Sequence, residues 1–469
     1  MKKTFFVASL MVLIIAVNLV FTITGCSSEQ QVKGTDTVSA VGNGFPNKYA
    51  NPPMDITSLA QAVADTFSWR TFIAMNWPAN GNSCGPDTTT PGISILSGTG
   101  PLVWETYLSS DQVFVGSGSI PSKWCEIGDM KNLPKKVQDL ARKTGVHRFI
   151  HRTSKMPHQL GQASGQPLVD QNGRFVRYEV RMNKDEYNYI MATSLWNVAG
   201  QNKYVKDNSI SFPAGPNKNY GPIGAMEFKA AWKVLGNGDD ASKFYTIKAI
   251  VFNDDSLDPS PGDNPVTLGL VGLHIAHKTV TQGKWVWSTF EQVDNLTTSF
   301  YNSKCKTCPV NQPPSGGPNY KELDGNGKPL HKPTQVTRLN RIDTTWSDSL
   351  GVLGDPFVDN INAYFQSLLQ GSVWANYKLV STQWLFGETM TPLFLENSVQ
   401  ETYLQGPAGY SYGGFKLKSG FDVQYFEDSR YSPFSPGVSS SCMGCHYTAT
   451  LPQNNNVRTD FSFLLGEAK

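Results

Sequence analysis

The sequence predicts an α+β protein, with a body rich in antiparallel strands, flanking helices and a C-terminal segment that carries a Cys-x-x-Cys-His motif. Two observations favour this fold class. Four strand-like segments, with short turns between some of them, occupy the middle of the chain at 225–234, 244–252, 268–279 and 284–293. The sequence lacks the alternation of strands with helices that builds parallel sheets.

A hairpin and a helix precede these strands. Asn172-Gly173 predicts a hairpin turn between residues 167–170 and 174–182, and the second arm alternates apolar and charged side chains. Asn183 is then expected to cap a helix in which Glu186 stands at the third position.

Further helices are predicted on both sides of the strand-rich middle. The first should be capped by Asp55 and end at Pro78, with Leu59, Val63, Phe67 and Ile73 on one side. Other helices are expected near residues 135–143, 356–370 and 396–404, and one more strand near 374–383.

The first 25 residues have the pattern of a secretory signal peptide. Lys2 and Lys3 precede an apolar run, residues 5–23, which leads into Gly25 and Cys26. This ending resembles the lipobox of bacterial lipoproteins, whose signal is removed and whose cysteine is acylated. The resemblance implies a lipid anchor at Cys26 and an extracytoplasmic location, at the periplasmic face or outer membrane; an uncleaved membrane helix is the alternative.

Composition divides the rest of the chain and excludes one class of partner. Residues 26–53 are polar and without periodicity, which indicates a flexible tether. Residues 54–333 predict the strand-rich body, and 334–469 predict a C-terminal part packed against it. The chain has 40 basic and 38 acidic residues, and loss of Lys2 and Lys3 with the signal would leave equal numbers, so nucleic acid is not an expected partner.

The stretch Cys442-Met443-Gly444-Cys445-His446 has the spacing that attaches a c-type haem. Two thiols three positions apart can form thioethers with the two vinyl groups of one porphyrin. A histidine directly after the second cysteine can bind the iron as the proximal ligand. One covalently attached haem c per chain is therefore expected, held by Cys442, Cys445 and His446.

A Cys-x-x-Cys pair has other possible roles: a disulfide, a redox-active dithiol or half of a zinc site. The zinc alternative needs a second pair nearby. The other pair, Cys305 and Cys308, lies far upstream and has no histidine after it. An exported chain with His446 in place therefore favours haem.

Four cysteines remain after lipidation and haem attachment: Cys84, Cys125, Cys305 and Cys308. In an oxidising compartment they can form two disulfides. The sequence leaves the pairing open; Cys84 with Cys125 and Cys305 with Cys308 is the preferred arrangement, and a redox-active second pair is the alternative.

The distal side of the haem needs a ligand from upstream, because no Met or His follows His446. The candidates are His274, Met390 and Met156, and an open sixth position is a further alternative. The remaining histidines have weaker patterns.

His147 and His151 stand beside Arg148 and Arg152, which predicts a solvated basic face, although His-x-x-x-His can also bind metal. His331 lies among lysines and prolines, in a loop pattern.

Strand alternation separates His274 from His277. His277 should share its face with Val271, Leu273 and Ile275, whereas His274 should share its face with the small residues Gly272 and Ala276. A porphyrin lying against a strand needs room beside the ligand. His274 is therefore the preferred distal ligand, and a hydrogen-bonded core histidine is the alternative.

Three further stretches, residues 170–173, 178–183 and 271–295, together with the haem motif and the lipobox, resemble a group of poorly characterised exported bacterial monohaem c-type cytochrome lipoproteins. The resemblance implies haem c and a lipid anchor. It supplies no catalytic residue.

These patterns predict a lipid-anchored, extracytoplasmic monohaem cytochrome c that transfers single electrons between redox proteins of the cell envelope. An alternative is a haem c enzyme, an oxygenase or peroxidase with an open iron site, because electron transfer alone needs fewer residues. A haem-based sensor is the third alternative.

Overall fold

The computed structural model describes residues 45–56, 58, 60–81, 83–98, 100–116, 119–126, 135–150, 168–172, 174–251, 265–282, 285–296, 357–386, 389–390, 395, 397–401, 415–416, 422–423, 425–426, 437–438, 442, 446 and 449–469. They belong to one compact unit, Ala40–Lys469. The predictions for Cys26, Leu59, Cys305, Cys308, Cys445, His151, His331 and Met156 fall outside the described residues.

An eight-stranded sheet organises the fold. Its strands are β1 (Leu108–Ser109), β2 (Phe149–Ile150), β3 (Arg177–Met182), β4 (Met226–Val234), β5 (Thr246–Val251), β6 (Val266–Lys278), β7 (Trp285–Gln292) and β8 (Tyr377–Gln383).

The strand order is β8-β7-β6-β4-β3-β1, and β5 pairs with both β6 and β2. All pairs are antiparallel except β2 with β5. The predicted α+β class with antiparallel strands is confirmed, and the four predicted strands of the middle are β4 to β7. Strand β8 joins the same sheet, which therefore crosses the predicted boundary at residue 333.

Six helices accompany the sheet in the described part of the chain: α1 (Gln61–Met75), α2 (Ser110–Val113), α3 (Lys135–Thr144), α4 (Lys184–Ala192), α5 (Val198–Tyr204) and α6 (Val358–Leu368). Short 3-10 turns span Asn47–Tyr49, Trp104–Thr106, Ala241–Lys243, Val373–Asn376 and Leu464–Glu467.

Small two-stranded pairs join Ala79–Asn80 to Gly85–Pro86, Leu385–Phe386 to Thr389–Met390, Phe415–Lys416 to Asp422–Val423, Tyr425–Phe426 to Gly437–Val438, and Thr450–Leu451 to Asn454–Arg458.

Helix α4 follows β3 as predicted. The Asn183 side chain accepts a hydrogen bond from the Glu186 backbone N–H at 3.1 Å, which satisfies one of the unpaired donors at the start of the helix. The same oxygen accepts from the backbone N–H of Met226 at 3.1 Å and so ties the helix start to β4. The turn at Asn172 is also present, with Asp170 N–H bonded to the Arg174 carbonyl.

Helix α1 differs from its prediction at the N-terminus. It begins at Gln61, and Ala60 rather than Asp55 occupies the cap position. The Asp55 carboxylate instead accepts from the Thr281 hydroxyl at 2.7 Å, because a strand end from distant sequence competes for it. Val63 is more than a third exposed, whereas Phe67 and Ile73 are buried as expected.

The end of the predicted tether also belongs to the folded body. Phe45, Tyr49 and Ala50 are buried in the main apolar core, so residues predicted for the tether belong to the body, which does not begin only at residue 54. The Phe45 and Tyr49 rings pack edge to face, 5.0 Å apart, which accounts for the order of a segment whose composition is polar overall.

One face of the sheet packs against α1 and α6, and we call it the α1 face, defined by Leu273, Ile275 and Phe290. The Phe290 ring stacks on Phe72 of α1 with centroids 4.2 Å apart. Trp69 packs edge-on to the same ring at 5.2 Å. Aromatic contacts of this kind make the α1 face the dry core of the molecule.

A β-bulge between β4 and β6 changes one predicted assignment. The register shifts between Ala231 and Trp232, so Gly272 pairs with Ala231 and Leu270 pairs with Trp232. Val271 is left in the bulge and packs in a different cluster from Leu273. The prediction that Val271 shares the face of His277 is therefore wrong, because a bulge interrupts the two-residue alternation.

The basic face predicted around His147 is only partly solvated. His147 is exposed, but Arg148 is mostly buried, and its guanidinium lies 2.5 Å from Glu179 and 3.5 Å from Glu105. These two carboxylates compensate the buried charge of Arg148.

Cys84 and Cys125 lie beside each other, with their Sγ atoms at bonding range and their Cα atoms 5.8 Å apart. This separation is in the range that a disulfide requires. The disulfide stays a prediction for the cell envelope.

Candidate haem site

Cys442 and His446 both have helical backbone conformation and are partly buried. The Cys442 sulfur lies 3.6 Å from the Leu395 carbonyl oxygen and packs beside the cluster that includes Val380. Cys442 thus lies against the folded body.

The His446 ring is held by one hydrogen bond and two aromatic neighbours. Its Nδ1 lies 2.7 Å from the Phe461 carbonyl oxygen. Because a carbonyl only accepts, Nδ1 must carry the hydrogen, and in the neutral ring Nε2 then carries the lone pair. The ring packs 4.3 Å from Trp287 and 5.0 Å from Phe463, measured between centroids.

Burial is the largest of the effects that lower the pKa of His446 to about 4, and the charges of His274 and Lys229 act in the same direction. The imidazole is therefore neutral at physiological pH. A neutral imidazole with its second nitrogen bonded to a carbonyl is the usual state of a metal-ligating histidine.

The register of β6 and β7 places His446 on the same side of the sheet as His274. In this antiparallel pair Ala276 lies opposite Trp287, and His274 lies opposite Thr289. Side chains two apart on a strand share a face. His446 packs against Trp287 and His274 bonds to Thr289, so the two histidines occupy neighbouring rows of one surface. We call this surface the His274 face, defined by His274, Ala276, Trp287 and Thr289.

Both ring nitrogens of His274 have partners. Nδ1 lies 2.8 Å from the Thr289 hydroxyl, and Nε2 lies 2.8 Å from Oε1 of Glu401. The second carboxylate oxygen of Glu401 accepts from the Asn397 backbone N–H at 2.7 Å. Burial raises the pKa of Glu401, but the charges of His274 and Lys229 outweigh it and hold the pKa below its ordinary value.

The space at Gly272 is filled by protein. A Cβ placed on Gly272 would lie 2.7 Å from Val399 and 3.0 Å from the Asn397 side chain. The described residues 397–401, where a helix was predicted, form a turn that packs here. Gly272 therefore makes room for this turn, and Ala276 is the small neighbour of His274 on the side of Trp287.

His277 lies on the α1 face with Leu273 and Ile275, as predicted. Its Nε2 lies 3.0 Å from the Ile223 carbonyl oxygen, and its ring stacks on Phe67 at 5.6 Å. Burial lowers the pKa of His277 to about 4. His277 is a neutral, hydrogen-bonded core histidine.

The residues on the His274 face fit a haem in three respects. His446 keeps an Nε2 lone pair, Cys442 is partly buried beside the Leu395 carbonyl, and the indole N–H of Trp287 is buried without a hydrogen-bond partner among the described residues. An unpaired buried donor beside His446 suits an anionic acceptor, such as the propionate that a haem would bring. Within the described part of the chain, no group of three or more His, Cys, Asp or Glu could hold a metal ion.

For several predicted residues, the described part of the structure shows no contact with the His274 face. Met390 lies in the short strand Thr389–Met390, paired with Leu385–Phe386. Cys445 and Met156 lie outside the described residues.

Sequence reasoning missed Thr289, Glu401, Trp287 and the Phe461 carbonyl as neighbours of the two histidines. Alternation along 284–293 groups Trp287 with Thr289, and this was the available signal. Glu401 is 127 positions from His274, so no local pattern could find it.

Comparison with known proteins gave no match: no family model, curated protein or solved structure matches the chain. Among the described residues, no helix is long and apolar enough to cross a membrane.

Proposed function

We propose that this protein is a lipid-anchored, extracytoplasmic monohaem c-type cytochrome that transfers single electrons between redox proteins of the cell envelope. The observation that carries the proposal is the state of His446 within the Cys-x-x-Cys-His motif. The hydrogen bond to the Phe461 carbonyl fixes the tautomer in which Nε2 can bind iron.

Cys442 and Cys445 would attach the haem, and His446 would be its proximal ligand. Bound there, the iron supplies one-electron chemistry by alternating between its ferric and ferrous states. Trp287 and Phe463 pack around the His446 ring and limit access of water to it. The Phe461 carbonyl raises the basicity of the ligand by accepting its Nδ1 hydrogen.

His274 is the proposed distal ligand, and Met390 is the alternative. His274 lies on the same surface as His446. Because the Glu401 carboxylate only accepts, Nε2 of His274 carries a hydrogen, and Nε2 would become the ligand only after that hydrogen moved to Nδ1, where the Thr289 hydroxyl could accept it. Ligation requires Nε2 to leave Glu401. Glu401 would retain its bond from the Asn397 N–H after this exchange.

A second candidate function is a haem c enzyme, a peroxidase or oxygenase, or a haem-based sensor with an open sixth position. One observation favours it: both nitrogens of His274 are engaged by protein groups, so the histidine stands beside the site as a hydrogen-bonded base. An imidazole paired with a buried carboxylate is a suitable general base.

The anchor and location rest on the resemblance of residues 1–26 to a lipoprotein signal. Replacement of Cys26 by Ala should abolish incorporation of labelled fatty acid. A variant that incorporates it as the parent does would contradict the anchor at Cys26.

Covalent haem is tested by expression with the cytochrome c maturation machinery, followed by mass spectrometry and haem staining of a denaturing gel. The parent should carry one haem per chain. Cys442→Ser with Cys445→Ser should carry none, and Cys84→Ser with Cys125→Ser is the matched cysteine control that keeps it. A colourless parent would overturn the proposal.

A further inference from the structure

Two buried carboxyl groups face each other on the His274 side of the sheet. Glu186 projects from the first turn of α4 and is fully buried, and Glu227 projects from β4 with Oε1 buried. Their side chains lie within hydrogen-bonding range of each other. No N–H or O–H donor in the described part of the chain reaches either oxygen of Glu186.

Two carboxylates cannot bond to each other unless one of them is protonated. Close like charges in a buried site make double ionisation costly, so the pair holds a proton. Burial raises the pKa of Glu227 to about 7, and burial together with the charge of Glu227 raises the pKa of Glu186 well above its ordinary value.

Among the described residues, the charged groups that act on the pair include no cation. Lys229, two residues along β4 from Glu227, acts instead on Glu401 and His446. Asp460 acts on both carboxyl groups, but its charge is offset by an ion pair with Lys278 of β6. Glu467 is a third buried acid that faces Glu227, and burial raises its pKa to about 8. A proton is therefore the cation that neutralises this cluster.

The pair is linked to His446 through two neighbouring residues. The Ser462 side chain is hydrogen-bonded to Glu227, and the carbonyl of the preceding residue, Phe461, accepts from His446 Nδ1. The strand register also brings Glu227 close to His446. Ala276 of β6 lies opposite Glu227 of β4 on one side and opposite Trp287 of β7 on the other. Two strand spacings place Glu227 about 10 Å from Trp287, the residue on which His446 packs.

We propose that the Glu186–Glu227 pair is a redox-linked proton site, which binds one proton when one electron enters the site held by His446 and releases it on oxidation. The proposal rests on the proposed function. A one-electron donor, such as another reduced haem protein, supplies the electron, and solvent supplies the proton. Charge at the centre then stays balanced, because one positive charge arrives with each negative one.

The potential of the purified protein as a function of pH tests this coupling. In the parent, the midpoint potential should fall as pH rises through the pKa of about 7 of Glu227, by at most about 59 mV for each tenfold change in proton concentration. Glu227→Gln and Glu186→Gln should both flatten this slope. Gln preserves the shape of the protonated acid.

Two controls isolate the pair. Asp170→Asn alters another fully buried acid. Asp170 lies near Lys233, at the other end of β4 from Glu227, and burial raises its pKa to about 6. Glu467→Gln alters the third acid of the cluster. Both controls should retain the slope. A slope that survives Glu227→Gln, or that Glu467→Gln alone removes, would overturn the assignment.

Infrared spectroscopy tests the pair without any redox signal. The absorption of a protonated, buried carboxyl should titrate near neutral pH in the parent and be lost in the Glu186→Gln, Glu227→Gln double variant. Its absence from the parent would overturn the pair even in a haem protein. A colourless parent that shows this band would contradict the proposed function and support the proton site.

Discussion

The two faces of β6 and β7 present different chemistry over the same few residues. On the α1 face, Phe290 and Leu273 join an aromatic and aliphatic core. On the His274 face, the neighbouring residue His274 bonds to Thr289 through Nδ1 and to Glu401 through Nε2. The difference teaches that stability and chemistry are separated by a single residue along each strand, because strand side chains alternate.

The two histidines of β6 show this separation most directly. His277 has one backbone partner and an aromatic neighbour, and its Nδ1 is buried without a hydrogen-bond partner among the described residues. His274 has two side-chain partners and lies on the surface that His446 also occupies. Each of the following changes addresses one face and should leave the other intact.

Phe290→Ala on the α1 face should have the largest effect on stability. It removes the ring that packs against both Phe72 and Trp69. Loss of a buried Phe costs about 3–5 kcal/mol of unfolding free energy. Urea denaturation of the haem-free protein measures this cost, and a loss below about 1 kcal/mol would show that the α1 face is not the main core.

His277→Gln should change the pH dependence of stability. The buried, neutral His277 has its pKa lowered from 6.5 to about 4, so the unfolded chain binds more protons in that window. The parent therefore loses stability as pH falls from 6.5 to about 4, by about 3 kcal/mol in the limit.

Gln keeps a donor for the Ile223 carbonyl but does not titrate. The stability of the variant should fall less than that of the parent over the same interval, in denaturant melts at matched pH. Parallel curves would contradict the buried neutral state of His277.

Glu401→Gln on the His274 face should lower the free energy of unfolding by about 2 kcal/mol, because it replaces a charged acceptor that serves both His274 and the Asn397 N–H. Asp207→Asn is the surface control, since Asp207 is exposed, and its effect should stay within about 0.5 kcal/mol. Equal effects of the two variants in chemical denaturation would show that the Glu401–His274 pair does not stabilise the fold.

Thr289→Val should have the smallest effect, about 1 kcal/mol, because one buried hydrogen bond to His274 Nδ1 is lost at nearly constant volume. Thr289→Ser retains the hydroxyl and serves as the control. The adjacent Phe290→Ala change provides the comparison across the strand, and a larger loss from Thr289→Val than from Phe290→Ala would invert the assignment of the two faces.

Local patterns predicted much of the fold and part of the site. Alternation placed His274 and His277 on opposite faces, and the Asn183 cap was found where expected. Alternation failed at Val271, because a bulge depends on the partner strand β4. The prediction that Asp55 caps α1 is wrong, because Thr281, from distant sequence, competes for the Asp55 carboxylate.

The neighbours of the site depend on pairings that no local pattern records. Glu401 meets His274 and Glu186 meets Glu227 only after α4, β4 and β6 have been brought together by the sheet. Strand register and loop packing follow from the whole set of contacts, so such pairs become visible only in the structure.

The central claim, that the His274 face holds the haem, is tested most directly by the optical and EPR spectra of the parent, His274→Ala and His277→Gln. The parent should be low-spin, His274→Ala should become high-spin with its haem still attached, and His277→Gln should keep the parent spectrum. If His274→Ala leaves the ligand-field bands unchanged while Met390→Ala shifts them, Met390 is the distal ligand. A parent that is already high-spin and binds carbon monoxide would contradict distal ligation and favour the enzyme or sensor.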